Sequence, residues 1–132
     1  MLHESFVRTR YFESDVYGHI NNVSFFIYLE QARVDFFADN NLHKNQEEWS
    51  FVVASAHCDY INQAYVNQNL VIRTYIDHIG RKSIKLKHQI MDQASEELIA
   101  EGEVVLVHFN FKTQLSEPLD EELVKKLSTY LA

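Results

Sequence analysis

The stretch Asn22-Val23-Ser24-Phe25-Phe26-Ile27-Tyr28-Leu29-Glu30-Gln31-Ala32-Arg33-Val34-Asp35-Phe36-Phe37-Ala38-Asp39-Asn40 decides the fold. It holds neither glycine nor proline. Asn21 or Asn22 at its start is suited to cap a helix, a side-chain oxygen accepting from N–H groups that the first turn leaves unpaired. At 100° per residue, Ser24, Tyr28, Gln31, Asp35 and Asp39 fall in one narrow arc, and Val23, Phe25, Phe26, Ile27, Leu29, Ala32, Val34, Phe36 and Phe37 fill nearly all the rest. An ordinary surface helix carries an apolar stripe only a little wider than about 100°. This one predicts a broad, concave wrapper, and a curved sheet is the natural form.

Outward from the helix, the flanking segments supply such a sheet. Residues 4–12 read as a first strand, and Glu13 to Asn22 as a turn containing one of only three glycines. Beyond a polar stretch, Phe51 to Ile61 reads as a strand. Leu70 to Ile79 alternates, with Leu70, Ile72, Thr74 and Ile76 on one face. Gly80 breaks it, Ser83 to Met91 alternates again, and Leu98 to Phe111 is a long strand rich in β-branched and aromatic residues. Pro118 opens a short amphipathic helix through Leu119, Leu123, Leu127 and Leu131. Short links between the late strands favour antiparallel pairing. The expectation is one α+β domain over residues 1–132, a curved antiparallel sheet wrapped around a long central helix.

Composition narrows the function classes. Hydrophobic residues make up 46% of the 132, and glycine and proline together number four, which argues for a packed core and against a disordered chain. The net charge of −7 argues against a nucleic-acid partner, because phosphate backbones need a concentrated positive face. The single cysteine, Cys58, forms no intrachain disulfide and no multi-cysteine zinc site. No apolar run approaches a membrane span and the N-terminus has no signal-like core, so a cytoplasmic setting is expected.

Asp15 lies on the turn that enters the helix. Unpaired N–H groups at a helix start carry roughly half a positive charge and can hold an oxyanion. A carboxylate beside them can attack a carbonyl or activate water. The same Asp also suits a plain turn or cap. His19 suits either proton transfer or a structural hydrogen bond. Glu30 and Arg33 fall inside the apolar arc, where charges require partners; an ion pair between them that fixes the helix is the first expectation, with reach across a subunit boundary or a place lining the site as alternatives. Arg81, Ser83, Lys85 and Lys87 share one strand face, as a phosphate-receiving cluster or as a solvated edge. His3, His43, His57, His78, His88 and His108 show no metal-ligand spacing, and no metal or cofactor is expected.

Val7-Arg8-Thr9-Arg10-Tyr11-Phe12-Glu13-Ser14-Asp15-Val16-Tyr17-Gly18-His19-Ile20-Asn21-Asn22, with Tyr28-Leu29-Glu30-Gln31-Ala32-Arg33 and Ile79-Gly80-Arg81-Lys82-Ser83-Ile84, resembles the signature of the hotdog-fold 4-hydroxybenzoyl-CoA thioesterase family. The resemblance implies an acyl-CoA thioesterase that releases free acid and coenzyme A. It implies Asp15 as nucleophile or general base, His19 lining the site, and the N–H near Asn22 polarising the thioester carbonyl. Gly18, Arg81, Ser83 and Lys85 are the implied substrate-binding positions. It also implies a homodimer or homotetramer, acting on acyl-CoA or on an acyl-carrier protein. Two alternatives stay open: a hotdog-fold hydratase or dehydratase led by a histidine, and a non-catalytic acyl-CoA or acyl-carrier binding module.

Overall fold

The computed structural model describes residues 1–42 and 50–132, so His43 lies outside the described residues. In chain order the elements are β1 (His3–Arg8), a short 3-10 turn (Tyr11–Glu13), α1 (Asn22–Asp39), β2 (Phe51–Tyr60), β3 (Asn69–Ile79), β4 (Ser83–Asp92), β5 (Leu98–Asn110), β6 (Leu115–Ser116) and α2 (Glu121–Ser128). The strands form one antiparallel sheet ordered β1-β3-β4-β5-β2, with the two-residue β6 added to β5. The first strand ends earlier than expected. At Arg10 the Glu13 carboxylate takes the backbone N–H, and the chain coils into the 3-10 turn instead of continuing to Phe12.

The sheet presents its buried face to α1. Leu70, Ile72 and Ile76 of β3, Ile84, Leu86 and Ile90 of β4, and Ala100, Val104 and Leu106 of β5 are all buried. Against them α1 packs Phe25, Leu29, Ala32, Phe36 and Phe37. Leu29 packs directly onto Gly102, with no room for a Cβ between them. Leu123 and Leu127 of α2 and Tyr130 close one end of the core.

A polar row divides this core. His3, Thr74, His88, Gly102 and Cys58 stand in register across β1, β3, β4, β5 and β2. The apolar cluster around Phe36, Ile76 and Leu127 lies to one side and that around Phe25, Leu29 and Ile90 to the other. Thr74 Oγ1 is 2.8 Å from His88 Nδ1, and His3 Nε2 is 2.7 Å from Asp39 Oδ2. Burial, reinforced by the nearby charges of Arg33 and His3, pushes the His88 imidazole down to about 3. It is held neutral.

Packing settles which side of α1 meets the sheet. Part of the polar arc is turned inward: Ser24 and Tyr28 are buried and Asp35 bonds Ser5, while Gln31 and Asp39 stay exposed, Asp39 reaching His3 from the surface. That arc faces β1 and the preceding turn. Apolar Val23, Phe26, Ile27 and Val34 are instead exposed, Val23 by 62%. Glu30 and Arg33 form no ion pair within 4 Å among the described residues. Arg33 is half-buried, and desolvation lowers its guanidinium pKa while Glu30 works in the opposite direction.

Candidate active site at the start of α1

The segment Glu13–Asn21 folds into a small hairpin. Asp15 N–H donates to His19 C=O at 2.8 Å, and Asn21 N–H donates to Glu13 C=O at 3.0 Å. At its tip, Gly18 N–H donates to Asp15 C=O at 3.2 Å, and Gly18 takes φ +74°, a conformation L side chains rarely adopt. Space around Gly18 is open, so the requirement there is one of backbone conformation. The Asp15 side chain is fixed from the same turn: Oδ1 accepts the Tyr17 N–H at 2.9 Å. Oδ2 has no protein donor among the described residues.

The hairpin delivers the chain directly into α1. Asn21 is the N-cap, its Oδ1 accepting the Ser24 N–H at 2.9 Å. That leaves the N–H groups of Asn22 and Val23 without a protein acceptor among the described residues. They are the open, positive end of an 18-residue helix. Tyr60, the last residue of β2, donates its hydroxyl to Asn22 C=O at 2.9 Å and ties the sheet to this first turn. Burial is the main influence raising the Tyr60 hydroxyl pKa, followed by Cys58.

Asp15, Ile20, Asn21, Asn22, Phe25, Tyr60, Asn62 and Gln63 line one open cleft of about 330 Å³. Ile20 and Phe25 give it an apolar wall, and Asp15 and the helix start give it a polar one. Asp15 and Asn22, the first residue of α1, thus face the same cleft, a carboxylate beside an open helix start. That is the minimum machinery for acyl transfer to water.

The other expected site residues lie elsewhere. The His19 ring packs edge-on against Tyr65, centroids 5.1 Å apart, and is not among the residues lining the cleft. Gly18 shapes the turn without lining the cleft. Ser83 opens β4 at the opposite end of the sheet: Tyr60 is in register with Ala100 and Ile90, and from Ile90 to Ser83 is roughly 23 Å at about 3.3 Å per residue. Lys85 Nζ pairs with Glu103 at 3.3 Å, and Lys87 Nζ reaches the same carboxylate at 4.0 Å. Arg81 is exposed in the β3–β4 turn.

Sequence reading missed Glu13. Its side chain is buried, and it receives the Arg10 guanidinium at 3.0 Å, the Arg10 N–H at 2.7 Å and the Tyr28 hydroxyl at 2.9 Å. The Arg10/Glu13 spacing was a local signal for it. The Tyr28 contact, 15 residues away, was not. Among the described residues no group of three or more His, Cys, Asp or Glu side chains is placed to hold a metal ion. None of the described helices is long and apolar enough to cross a membrane.

Comparison with known proteins agrees with this geometry. Residues 9–127 match the model of the thioesterase-like superfamily. The long-chain acyl-CoA thioesterase FadM of Escherichia coli (strain K12) is 27% identical over 123 residues, 92% of this chain and 93% of the relative. A solved structure of a predicted thioesterase from Bacillus stearothermophilus superposes with TM-score 0.91 at 28% identity, covering 100% of this chain and 98% of that one. A thioesterase from Thermus thermophilus, solved in complex with coenzyme A and Zn, superposes with TM-score 0.83 at 28% identity, covering 96% and 92%. The chain belongs to the thioesterase-like superfamily, with the hotdog fold and, as its class of reaction, thioester hydrolysis.

Proposed function

We propose that this protein hydrolyses acyl thioesters of coenzyme A, with Asp15 and the start of α1 as its reaction centre. One observation carries the reading: Asp15, whose Oδ2 accepts from no protein donor among the described residues, and Asn22, whose backbone N–H is open at the start of α1, line a single cleft. Names borne by the relatives, an acyl-CoA thioesterase and a thioesterase holding coenzyme A, support the substrate class. A phosphopantetheine thioester on an acyl-carrier protein offers the same carbonyl to the same groups.

In the general-base route, Asp15 takes a proton from water as the water oxygen bonds to the acyl carbon. The carbonyl oxygen becomes an oxyanion and accepts from the Asn22 and Val23 N–H groups. Collapse breaks the C–S bond, and the departing thiolate recovers the proton from Asp15, leaving acid and thiol. In the nucleophilic route Asp15 bonds to the acyl carbon itself, and water cleaves the resulting anhydride. Thiolate is a good leaving group, so no separate acid is required. A hydratase would need an imidazole at the reacting atoms, and the His19 ring is occupied with Tyr65.

The reading includes assembly. Val23, Phe26, Ile27 and Val34 of α1 are left exposed by this chain, Val34 beside Phe51 and Val53 of edge strand β2, and a second copy is the partner proposed to cover them. Assembly would also let a neighbouring copy bring its Arg81–Lys87 face to a cleft that its own chain reaches only over roughly 23 Å. A low cysteine count and acidic composition go with a cytoplasmic setting.

Asp15→Asn tests the reading. Asn keeps an oxygen for the Tyr17 N–H, so folding and melting temperature should hold, while kcat/KM on acyl-CoA esters should fall by roughly 10²–10⁴-fold. Wild-type turnover in the folded variant refutes the assignment.

A further inference from the structure

We propose that Glu13 is a positioning residue for the reaction, holding the Asp15 turn against α1; the inference rests on Asp15 being the reacting carboxylate. Glu13 lies two residues before Asp15 and closes the base of its hairpin, where its C=O accepts both the Asn21 N–H at 3.0 Å and the Ser24 hydroxyl at 3.1 Å. Its carboxylate is nearly inaccessible, with 2% of the side chain exposed. Four donors reach it: Oε1 accepts from the Arg10 N–H and the Tyr28 hydroxyl, and Oε2 from the Arg10 Nε and NH2 groups. Three of these donors belong to Arg10, the cap of the same 3-10 turn, and the fourth, the Tyr28 hydroxyl, comes from α1. Arg10 is itself held, its guanidinium 4.6 Å above the Phe12 ring.

These contacts close the turn at the exit of β1 and tie it to α1. Tyr28 belongs to the second turn of α1, Arg10 to the exit of β1, and Glu13 to the hairpin that carries Asp15. The Tyr28 hydroxyl is pushed up by burial first and by the Glu13 carboxylate second, so it remains a donor. The carboxylate therefore fixes the hairpin's distance and angle to the very helix whose N–H groups face the oxyanion. Burying a carboxylate costs several kcal/mol before its partners repay it, and an apolar side chain would fill the space without aiming the turn. Reacting groups displaced by about 1 Å can lose on the order of 100-fold in rate.

The test compares Glu13→Gln and Tyr28→Phe with the wild-type protein and with Asp15→Asn. For each, kcat and KM are measured on an acyl-CoA ester, and calorimetry with a non-hydrolysable acyl-CoA thioether reads affinity and binding stoichiometry. Glu13→Gln puts an amide N–H₂ where an acceptor is required; kcat should fall roughly 10- to 100-fold, with stoichiometry unchanged and affinity within about 2-fold. Tyr28→Phe removes one of the four donors and should lower kcat by a smaller factor with the same binding profile. If Glu13→Gln does not fold, Tyr28→Phe is read by the same criteria. Unchanged kcat in folded variants overturns the inference, as does a kcat loss matched by an equal loss of binding stoichiometry, the mark of a purely structural role. Wild-type kcat in Asp15→Asn instead sinks the reading of Asp15, so the two failures are distinguishable.

Discussion

Replacing Gly102 with alanine should lift α1 off its seat. A Cβ at position 102 would stand 2.7 Å from both Leu29 Cδ1 and Cδ2 and 3.3 Å from its Cγ, where ordinary contact begins at 3.4 Å. Both methyls are struck, so turning Leu29 about its χ2 exchanges one clash for the other. Leu29 is fully buried, which closes the route to solvent. The helix must rise or β5 must bow, by somewhat less than 1 Å. Overpacking of this kind costs about 1–3 kcal/mol, against which the strand propensity gained over glycine recovers a fraction. For a chain of this size about 1 kcal/mol corresponds to roughly 3–4 °C, so the melting temperature should drop by roughly 2–11 °C. Thermal and urea unfolding at fixed protein concentration measure it, with concentration fixed because assembly shifts apparent stability. A double-mutant cycle sharpens the test: Leu29→Ala alone should cost about 2–5 kcal/mol, and combined with Gly102→Ala should cost less than the sum by about 1–3 kcal/mol. A Gly102→Ala protein within about 0.5 kcal/mol of wild type, with fully additive behaviour in the cycle, refutes the close approach.

Two further outcomes follow from named groups. His88 is held down to about 3 in the folded protein against an ordinary value near 6.5. Between those values the unfolded chain binds the extra proton, so stability is full above about pH 6.5 and falls on acidification by up to about 1.4 kcal/mol per pH unit. His88→Leu should flatten that slope between pH 6 and 4.5 by up to one proton's worth, and an unchanged slope in urea titrations contradicts a buried neutral imidazole. Arg81→Ala combined with Lys85→Ala should raise KM for acyl-CoA by roughly 10-fold at low salt, two exposed charges being worth about 1 kcal/mol or less each. The loss on a phosphate-free acyl-pantetheine thioester should stay under about 2-fold; equal losses on both substrates remove this face from phosphate recognition.

The element order was legible because each segment carries its own period. The alternation in β3 and β4 placed Leu70, Ile72, Thr74 and Ile76, and Ile84, Leu86 and Ile90, on the buried face. The turn into α1 was legible too, since Gly18 must adopt a positive φ and Asn21 caps the helix through its side chain. Where these local rules ended, so did the sequence reading. Strand β1 was drawn too long because Tyr11 and Phe12 favour a strand, while the Glu13 carboxylate, reaching back to the Arg10 N–H, imposes a 3-10 turn.

What the sequence by itself determined is a run of local choices: the strands, the helix with its cap, and a turn that sets Asp15 before the start of α1. Only the tertiary structure decided which side of α1 is buried. Its apolar residues run round so much of the circumference that periodicity selects no face, and Ser24, Tyr28 and Asp35 of the polar arc turned inward because β1 and the hairpin supply partners in Ser5 and Glu13. It alone also joined Asp15, Tyr60 and the α1 start in one cleft and set Arg81 and Lys85 at the far end of the sheet. The physical reason is shared by all of these. Each depends on contacts between residues distant in the chain, and a local pattern of side chains carries no term for a partner it has not yet met.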